Sequence, residues 1–126
     1  MTDTEFIIET TDLSKSYGPH VALENLNLKV RRGATGLLGP NGAGKSTFLK
    51  TILGLIQVTS GEGTVLGHNI RTEGAAIRSR IGYMPEYDAL NPDMEAIYQV
   101  KYSGELLGMN PVIAMSRAHE VLQYVG

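Results

Sequence analysis

Residues 39–46 place three glycines, a lysine and a serine in the order Gly-Pro-Asn-Gly-Ala-Gly-Lys-Ser. Backbone N–H groups of such a tight loop can point together at a cluster of negative charge, and a following helix adds its positive dipole end. Lys45 can neutralise charge on β- and γ-phosphates, and the Ser46 hydroxyl can bind Mg²⁺, which prefers oxygen ligands. The pattern therefore predicts a nucleoside triphosphate site, with ATP and Mg²⁺ as the expected ligands.

The glycines of this loop, Gly39, Gly42 and Gly44, have a physical role in that prediction. Glycine permits positive φ angles, and without a Cβ the backbone can approach phosphate oxygens closely. The alternative is an ordinary glycine-rich turn with a surface lysine. Because the loop stands between a predicted buried strand and a predicted helix, the phosphate-binding interpretation is favoured.

The elements that would position the loop follow from hydrophobic patterning. Residues 34–38 form a short, mostly apolar run, which predicts a strand buried on both faces. A helix is predicted to begin near Lys45, since apolar residues recur at helical spacing as far as Leu53, and Gly54 stands where a C-terminal cap belongs.

The rest of the chain contains shorter predicted elements. Four of them are strands, at 6–13, 26–30, 64–66 and 81–84, and one is a helix at 73–80. Turns or loops are predicted at 14–20 and 59–63. Asp93 is the predicted N-cap of a helix that continues to about Leu107, and Asn110 with Pro111 begins a last helix. One face of that last helix carries Met115, Ala118, Leu122 and Val125.

Composition excludes several classes of protein. A chain of 126 residues fits one domain at most, and its net charge of −2 argues against a nucleic-acid binder that works through bulk electrostatics. There is no apolar run of the roughly 20 residues needed to span a membrane. The acidic start of the chain is unlike a secretory signal, and the absence of cysteine excludes disulfides and cysteine-based metal sites.

Gly36–Thr47 closely resembles the Walker A segment of ATP-binding cassette (ABC) ATPases, the motor subunits of ABC transporters. Further segments match in order: residues 13–18 resemble the aromatic A-loop, 23–28 the strand before Walker A, 60–68 the stretch before the Q-loop, and 81–86 the Q-loop strand. The similarity covers nearly the whole chain and is strongest over residues 33–57.

The resemblance implies an α/β fold, namely a P-loop NTPase of ABC type. It would have an antiparallel β portion at the N-terminus, followed by the start of a helical subdomain, and would be truncated before the signature and Walker B motifs. Residues 1–126 would be the N-terminal part of an ABC ATPase domain. Within it, residues 1–85 would form part of the nucleotide-binding core and residues 86–126 the start of the helical subdomain.

The resemblance also implies roles for individual residues. Tyr17 would stack on adenine, and the alternative is a tyrosine buried in a turn. Glu86 stands where the family usually has glutamine; it would offer oxygen to Mg²⁺, and the alternative is a solvated carboxylate. Lys45 and Glu86 are the implied catalytic residues, and Ser46 and Glu86 the implied metal ligands. The implied nucleotide contacts are Tyr17, Gly39, Pro40, Asn41, Gly42, Ala43, Gly44, Lys45, Ser46 and Thr47.

The implied function is ATP binding by an ABC transporter subunit whose complete form couples ATP hydrolysis to transport. Its partners would be a membrane-spanning subunit, bound through residues 86–107, and a second ATPase subunit, identical or different. It would lie peripherally at the cytoplasmic membrane face and would not bind nucleic acid. The sequence contains no signature motif and no Walker B strand, so the expectation is a fragment that binds ATP without efficient hydrolysis. Two alternatives are a non-catalytic nucleotide-binding or regulatory module and a soluble ABC-type ATPase.

Overall fold

A computed structural model describes residues 5–87 and 89–126 of the chain. The chain divides into two compact units between Gly82 and Tyr83. The first unit contains β1 (Phe6–Tyr17), β2 (His20–Arg31), α1 (Lys45–Ile52), β3 (Ser60–Val65), β4 (His68–Asn69) and α2 (Gly74–Arg78). The second contains α3 (Ala96–Leu106) and α4 (Pro111–Val125). Within the described ranges, no helix combines the length and apolar character that a membrane crossing requires.

The strands of the first unit form one antiparallel sheet in the order β2-β1-β3-β4. β1 and β2 are longer than predicted, because their pairing continues to the Tyr17 and His20 pair. The turn expected at residues 14–20 is present only at Gly18 and Pro19, which separate the two strands, so its predicted bounds are wrong. β3 likewise begins at Ser60, inside the loop expected at 59–63, because it pairs there with β1.

The core of the first unit lies between this sheet and α1. Its buried apolar residues come from the sheet, α1, α2 and the connecting segments: Leu13, Leu23, Phe48, Ile52, Val58, Val65, Ile70 and Ile77. Leu13 and Ile77 are fully buried. Burial of one such side chain stabilises the fold by about 1.5–3 kcal/mol, so this cluster holds α1 in place.

The C-terminus of α1 has the glycine cap that the sequence predicts. Beyond α1, Gly54 has φ +65°, and its N–H donates to the Thr51 carbonyl at 2.9 Å. The Leu55 N–H donates to the Lys50 carbonyl at 2.9 Å, so the expected glycine cap is present as a Schellman motif.

Before α2, hydrogen bonds from the Asn69 backbone N–H and the His68 imidazole hold the pKa of Glu73 below its usual range.

Two predicted strands are absent from the described part of the chain. Residues 34–38 have no regular secondary structure and are exposed, with Leu38 95% exposed. Residues 81–84 also lack strand structure. A strand needs a neighbour for its backbone N–H and C=O groups, and no strand among residues 5–87 and 89–126 pairs with either segment. Apolar composition alone therefore did not make them strands.

The second unit contains two helices that pack against each other. The predicted N-cap at Asp93 is wrong, because α3 begins at Ala96 with Glu95 in the cap position. The predicted cap of α4 is confirmed, since the Asn110 side chain accepts a hydrogen bond from the Val112 N–H at 2.9 Å. The predicted apolar face of α4 is only partly buried: Ala118 is buried, but Val125 is 72% exposed.

Replacing Asn110 with alanine should lower the free energy of unfolding of the second unit by about 1 kcal/mol, because the Val112 N–H loses its acceptor. A shift in the denaturation midpoint of helical circular dichroism measures this effect. Gln123→Ala, at an exposed position of the same helix, is the matched control. Equal midpoints for the two variants would show that the cap does not stabilise α4.

Candidate functional site

The predicted phosphate-binding loop lies at the N-terminus of α1, which begins at Lys45. The first backbone N–H groups of any helix have no acceptor within the helix. Among the described residues, no side chain caps this end of α1, and its first turn contains no acidic residue. The amide hydrogens of this turn are thus available to an external anion, and the helix dipole places partial positive charge at the same point.

Gly44 joins the loop to α1 and lies against β2. Its φ is +92°, which L side chains rarely adopt. A Cβ at this position would lie 2.3 Å from the Ala22 carbonyl oxygen and 3.0 Å from Leu23 Cδ2. Glycine is therefore required for both the conformation and the close contact, and this contact fixes the start of α1 against the sheet.

Lys45 folds back over the loop. Its ammonium group donates a hydrogen bond to the Gly39 carbonyl oxygen and lies 3.4 Å from that of Pro40. The Ala43 N–H donates to the same Pro40 carbonyl at 3.1 Å, which closes the turn. These contacts hold one positive charge on the loop beside the open end of α1.

Ser46 and Thr47 complete the start of the helix. Ser46 is exposed, so its hydroxyl is accessible, whereas Thr47 is half-buried. The following residue, Phe48, is buried in the core, and its N–H donates to the Gly44 carbonyl at 2.8 Å. The apolar face of α1 therefore points at the sheet and leaves Ser46 on the open side.

Tyr17 ends β1 and pairs in register with His20. It is 45% exposed, so the alternative of a tyrosine buried in a turn is wrong. The Lys15 ammonium lies 4.9 Å from the centre of its ring, within the range of a cation–π contact. Tyr17 belongs to the same hairpin as Ala22, the residue that contacts Gly44.

Glu86 is exposed and belongs to the second unit, whereas the loop belongs to the first. Its assignment as a magnesium ligand stays a prediction. Within residues 5–87 and 89–126, no group of three or more histidine, aspartate or glutamate residues could hold a metal ion by itself.

Ala22 is a residue of the site that the sequence did not indicate. It is an extra residue in β2, since Lys15 pairs with Leu23 while Ser16 pairs with Val21. Its carbonyl approaches Gly44 because this bulge directs the backbone towards the loop. A small apolar residue in a strand carries no signal for such a contact, so only the three-dimensional structure could find it.

Comparison with known proteins identifies the family of the chain. A family model described as ABC transporter matches residues 23–126. The chain is 36% identical over 119 residues to the Nod factor export ATP-binding protein I of Cupriavidus metallidurans, and this match covers 94% of the chain. It is 37% identical over 121 residues to the linearmycin resistance ATP-binding protein LnrL of Bacillus subtilis, with 95% of the chain covered. The matched segment spans 39% of the length of each relative.

Among solved structures, the chain is similar to a dimeric ATP-binding cassette in a post-hydrolysis state, bound to ADP and phosphate. The TM-score is 0.79 at 28% identity, and the match covers 92% of this chain and 56% of that one. The shared fold is that of an ABC-type P-loop NTPase. Because the family model matches more than half of the sequence, the chain belongs to the ABC transporter family.

Proposed function

We propose that this chain binds ATP with Mg²⁺ as part of the ATPase subunit of an ABC transporter. The observation that carries the proposal is the open N-terminus of α1, where uncapped N–H groups adjoin the ammonium group of Lys45. A triphosphate is the biological anion that best fits a cationic loop of this size followed by a helix. The structural relative bound to ADP and phosphate supports the same ligand class.

Each residue of the loop has a separate role in this proposal. The N–H groups of residues 41–47 bind phosphate oxygens, Lys45 neutralises charge at the β- and γ-phosphates, and Ser46 offers its hydroxyl to Mg²⁺. Gly39 and Pro40 hold Lys45 through their carbonyl oxygens. The residues proposed to contact the nucleotide are those from Gly39 to Thr47, together with Tyr17.

Tyr17 and Glu86 extend the proposed site beyond the loop. Tyr17 stacks on the adenine ring, a contact worth about 1–3 kcal/mol for a base on an aromatic side chain. Glu86 offers a carboxylate oxygen to Mg²⁺. Mg²⁺ supplies charge neutralisation for phosphoryl transfer, and the chain's residues hold and orient the phosphates.

The proposal includes partners and location. Residues 1–85 form part of the nucleotide-binding core and residues 86–126 part of a helical subdomain that meets a membrane-spanning subunit. A second ATPase subunit completes the ATP site, and the assembly lies at the cytoplasmic face of the membrane. The names of two relatives, for Nod factor export and linearmycin resistance, favour export as the direction of transport.

A second candidate is a nucleotide-binding module without catalysis. Residues 1–126 contain no signature motif and no Walker B strand. A site that holds phosphates without the groups that position water is a poor catalyst. We therefore propose that residues 1–126 alone bind ATP and hydrolyse it slowly.

Titration of the purified chain with ATP and Mg²⁺, combined with a phosphate-release assay, tests both candidates. We expect a Kd on the order of micromolar, about −8 kcal/mol, with turnover no higher than that of the Lys45→Ala variant. Turnover well above this control would reject the non-catalytic candidate for the isolated chain. Absence of saturable ATP binding by the folded chain would reject the proposed function.

A further inference from the structure

The long β1–β2 hairpin is interrupted at one level by a left-handed residue in each strand. Asp12 in β1 has φ +48° and Asn25 in β2 has φ +44°. The register shifts at the same places: Thr10 pairs with Leu28 but Leu13 with Leu26, and the next pair is Lys15 with Leu23. At this level each strand therefore contains one extra residue, which defines two β-bulges facing each other. Aspartate and asparagine are the non-glycine residues that tolerate this conformation best.

A set of polar side chains joins the two bulges. Asn27 donates from Nδ2 to Asp12 Oδ1 at 2.9 Å and to the Asn25 carbonyl at 3.0 Å, and its Oδ1 accepts from the Asp12 N–H at 3.1 Å. The Asn25 N–H donates to Ser14 Oγ at 2.9 Å. Ser14 Oγ donates to Asn25 Oδ1 at 3.3 Å. The side chains of four residues thus hold both strands in the bulged register, and we call Asp12, Ser14, Asn25 and Asn27 the bulge network.

The bulges reverse which side chains face the core. Successive side chains of a strand point to opposite faces, so residues two apart share a face. Before the bulge Thr10 is buried, and after it Leu13 is buried, three residues later. In β2 the partly buried Leu26 and the buried Leu23 are likewise three apart. Without the extra residues, everything beyond them would lie on the other face.

Tyr17 lies in the part of β1 that follows the bulge at Asp12. Residues 13, 15 and 17 share a face, and the Lys15 ammonium lies 4.9 Å from the Tyr17 ring centre, as expected for neighbours on one side of a strand. Leu13 on that face packs in the core with Phe48 of α1. The bulge network therefore places Tyr17 on the face of the sheet that carries α1 and its N-terminal loop.

The same part of the hairpin contacts the loop directly. Ala22 is close enough to Gly44 that a Cβ there would lie 2.3 Å from the Ala22 carbonyl oxygen. β3 fixes the bulge from the other side, since a Cβ at Gly61 would lie 2.2 Å from the Asp12 carbonyl oxygen. The hairpin tip is thereby held between the bulge network and the phosphate-binding loop.

We propose that Asp12, Ser14, Asn25 and Asn27 are positioning residues for base recognition: their paired bulges turn Tyr17 towards the nucleotide. The inference rests on the proposed function, specifically on stacking of Tyr17 against adenine. It predicts that disruption of the bulge network weakens binding of ATP, which has a base, more than binding of tripolyphosphate, which has none. A role limited to stabilising the hairpin would not separate these two affinities.

The test compares Asn25→Val with Asn25→Gly in the intact protein, using ATP and inorganic tripolyphosphate as probes with Mg²⁺. Valine disfavours the left-handed conformation, whereas glycine keeps it and removes only the side chain. We expect Asn25→Val to weaken ATP binding about tenfold more than it weakens tripolyphosphate binding, the scale of one lost stacking contact. Asn25→Gly should keep a higher ratio of ATP affinity to tripolyphosphate affinity than Asn25→Val, because its backbone retains the left-handed conformation.

Tyr17→Ala and the double variant Tyr17→Ala/Asn25→Val complete the experiment. Tyr17→Ala should also weaken ATP binding about tenfold relative to tripolyphosphate binding. The double variant should lose no more on this ratio, because both changes remove the same contact. If Asn25→Val does not fold, Asn27→Ala replaces it in the same comparison, since it removes three network hydrogen bonds without a left-handed valine.

Each outcome decides a different claim. Absence of tripolyphosphate binding by the natural protein would reject the proposed function itself. Unchanged ATP affinity in Tyr17→Ala would reject adenine stacking and the inference with it. If Tyr17→Ala weakens ATP binding but the folded network variant does not, or if the two losses add in the double variant, the inference alone is overturned.

Discussion

Lys45→Ala should lower the affinity for ATP at least about a hundredfold, which corresponds to roughly 2.7 kcal/mol. Removal of one partner from a desolvated charge pair typically costs 2–5 kcal/mol. The ammonium group also bonds to the Gly39 carbonyl and lies 3.4 Å from the Pro40 carbonyl, so its loss removes both the cation and a contact that shapes the loop. Calorimetric titration with ATP and with tripolyphosphate should show the same loss for both ligands, because Lys45 acts on phosphate.

Lys50→Ala is the matched control for this experiment. Lys50 lies in the last turn of the same helix and is exposed, so the variant changes the net charge equally but far from the N-terminus of α1. We expect its ATP affinity to stay within about twofold of the natural protein, since exposed charges at a distance are screened by salt. Equal affinities for Lys45→Ala and Lys50→Ala would refute the assignment of the phosphate-binding loop.

Features that depend on a few neighbouring residues could be predicted from the sequence. The start of α1 at Lys45, the glycine cap after it and the Asn110 cap are all present. Each depends on backbone geometry within about one helical turn, which residue type determines directly. The family resemblance carried by residues 36–47 is confirmed for the same reason, because the motif is a local sequence.

Features that depend on distant pairing could not be predicted in this way. Residues 34–38 have strand composition, yet no strand in the described ranges pairs with them. Residues 14–17 look like a turn, yet they pair with β2 and extend β1 to Tyr17. A segment's pairing partner decides both cases, and local propensity contains no information about it.

The positions of the site residues could likewise be predicted only where they depend on neighbours in the sequence. The loop residues lie together because they are consecutive in the chain, but the approach of Ala22 to Gly44 depends on a bulge in a different element. The opposed left-handed residues, Asp12 and Asn25, are recognisable only once the strand register is known. The individual functional roles of these residues stay predictions that binding measurements must test.

Gly44→Ala should be the most destabilising substitution in the loop, because it combines two costs. The backbone at φ +92° is strained for any residue with a Cβ, at about 1–3 kcal/mol. The added Cβ would also lie 2.3 Å from the Ala22 carbonyl oxygen, so either the hairpin or the helix start must move, which costs about 1–3 kcal/mol more. We expect a loss of about 3 kcal/mol or more in the free energy of unfolding, together with loss of ATP binding.

Alanine substitutions at two other glycines separate the cost of backbone strain from the cost of the contact with Ala22. Gly42 has φ +85° with nothing within 4 Å of a Cβ, so Gly42→Ala should show only the strain, whereas Gly36→Ala meets neither obstacle. The loss of stability measured by urea denaturation should therefore increase from Gly36→Ala to Gly42→Ala to Gly44→Ala. If Gly44→Ala unfolds at the same urea concentration as Gly42→Ala, the contact with Ala22 does not constrain the loop. A larger loss at Gly44 would mean that the hairpin sets the geometry in which α1 presents its N–H groups, so that β2, remote in sequence, is part of the phosphate site.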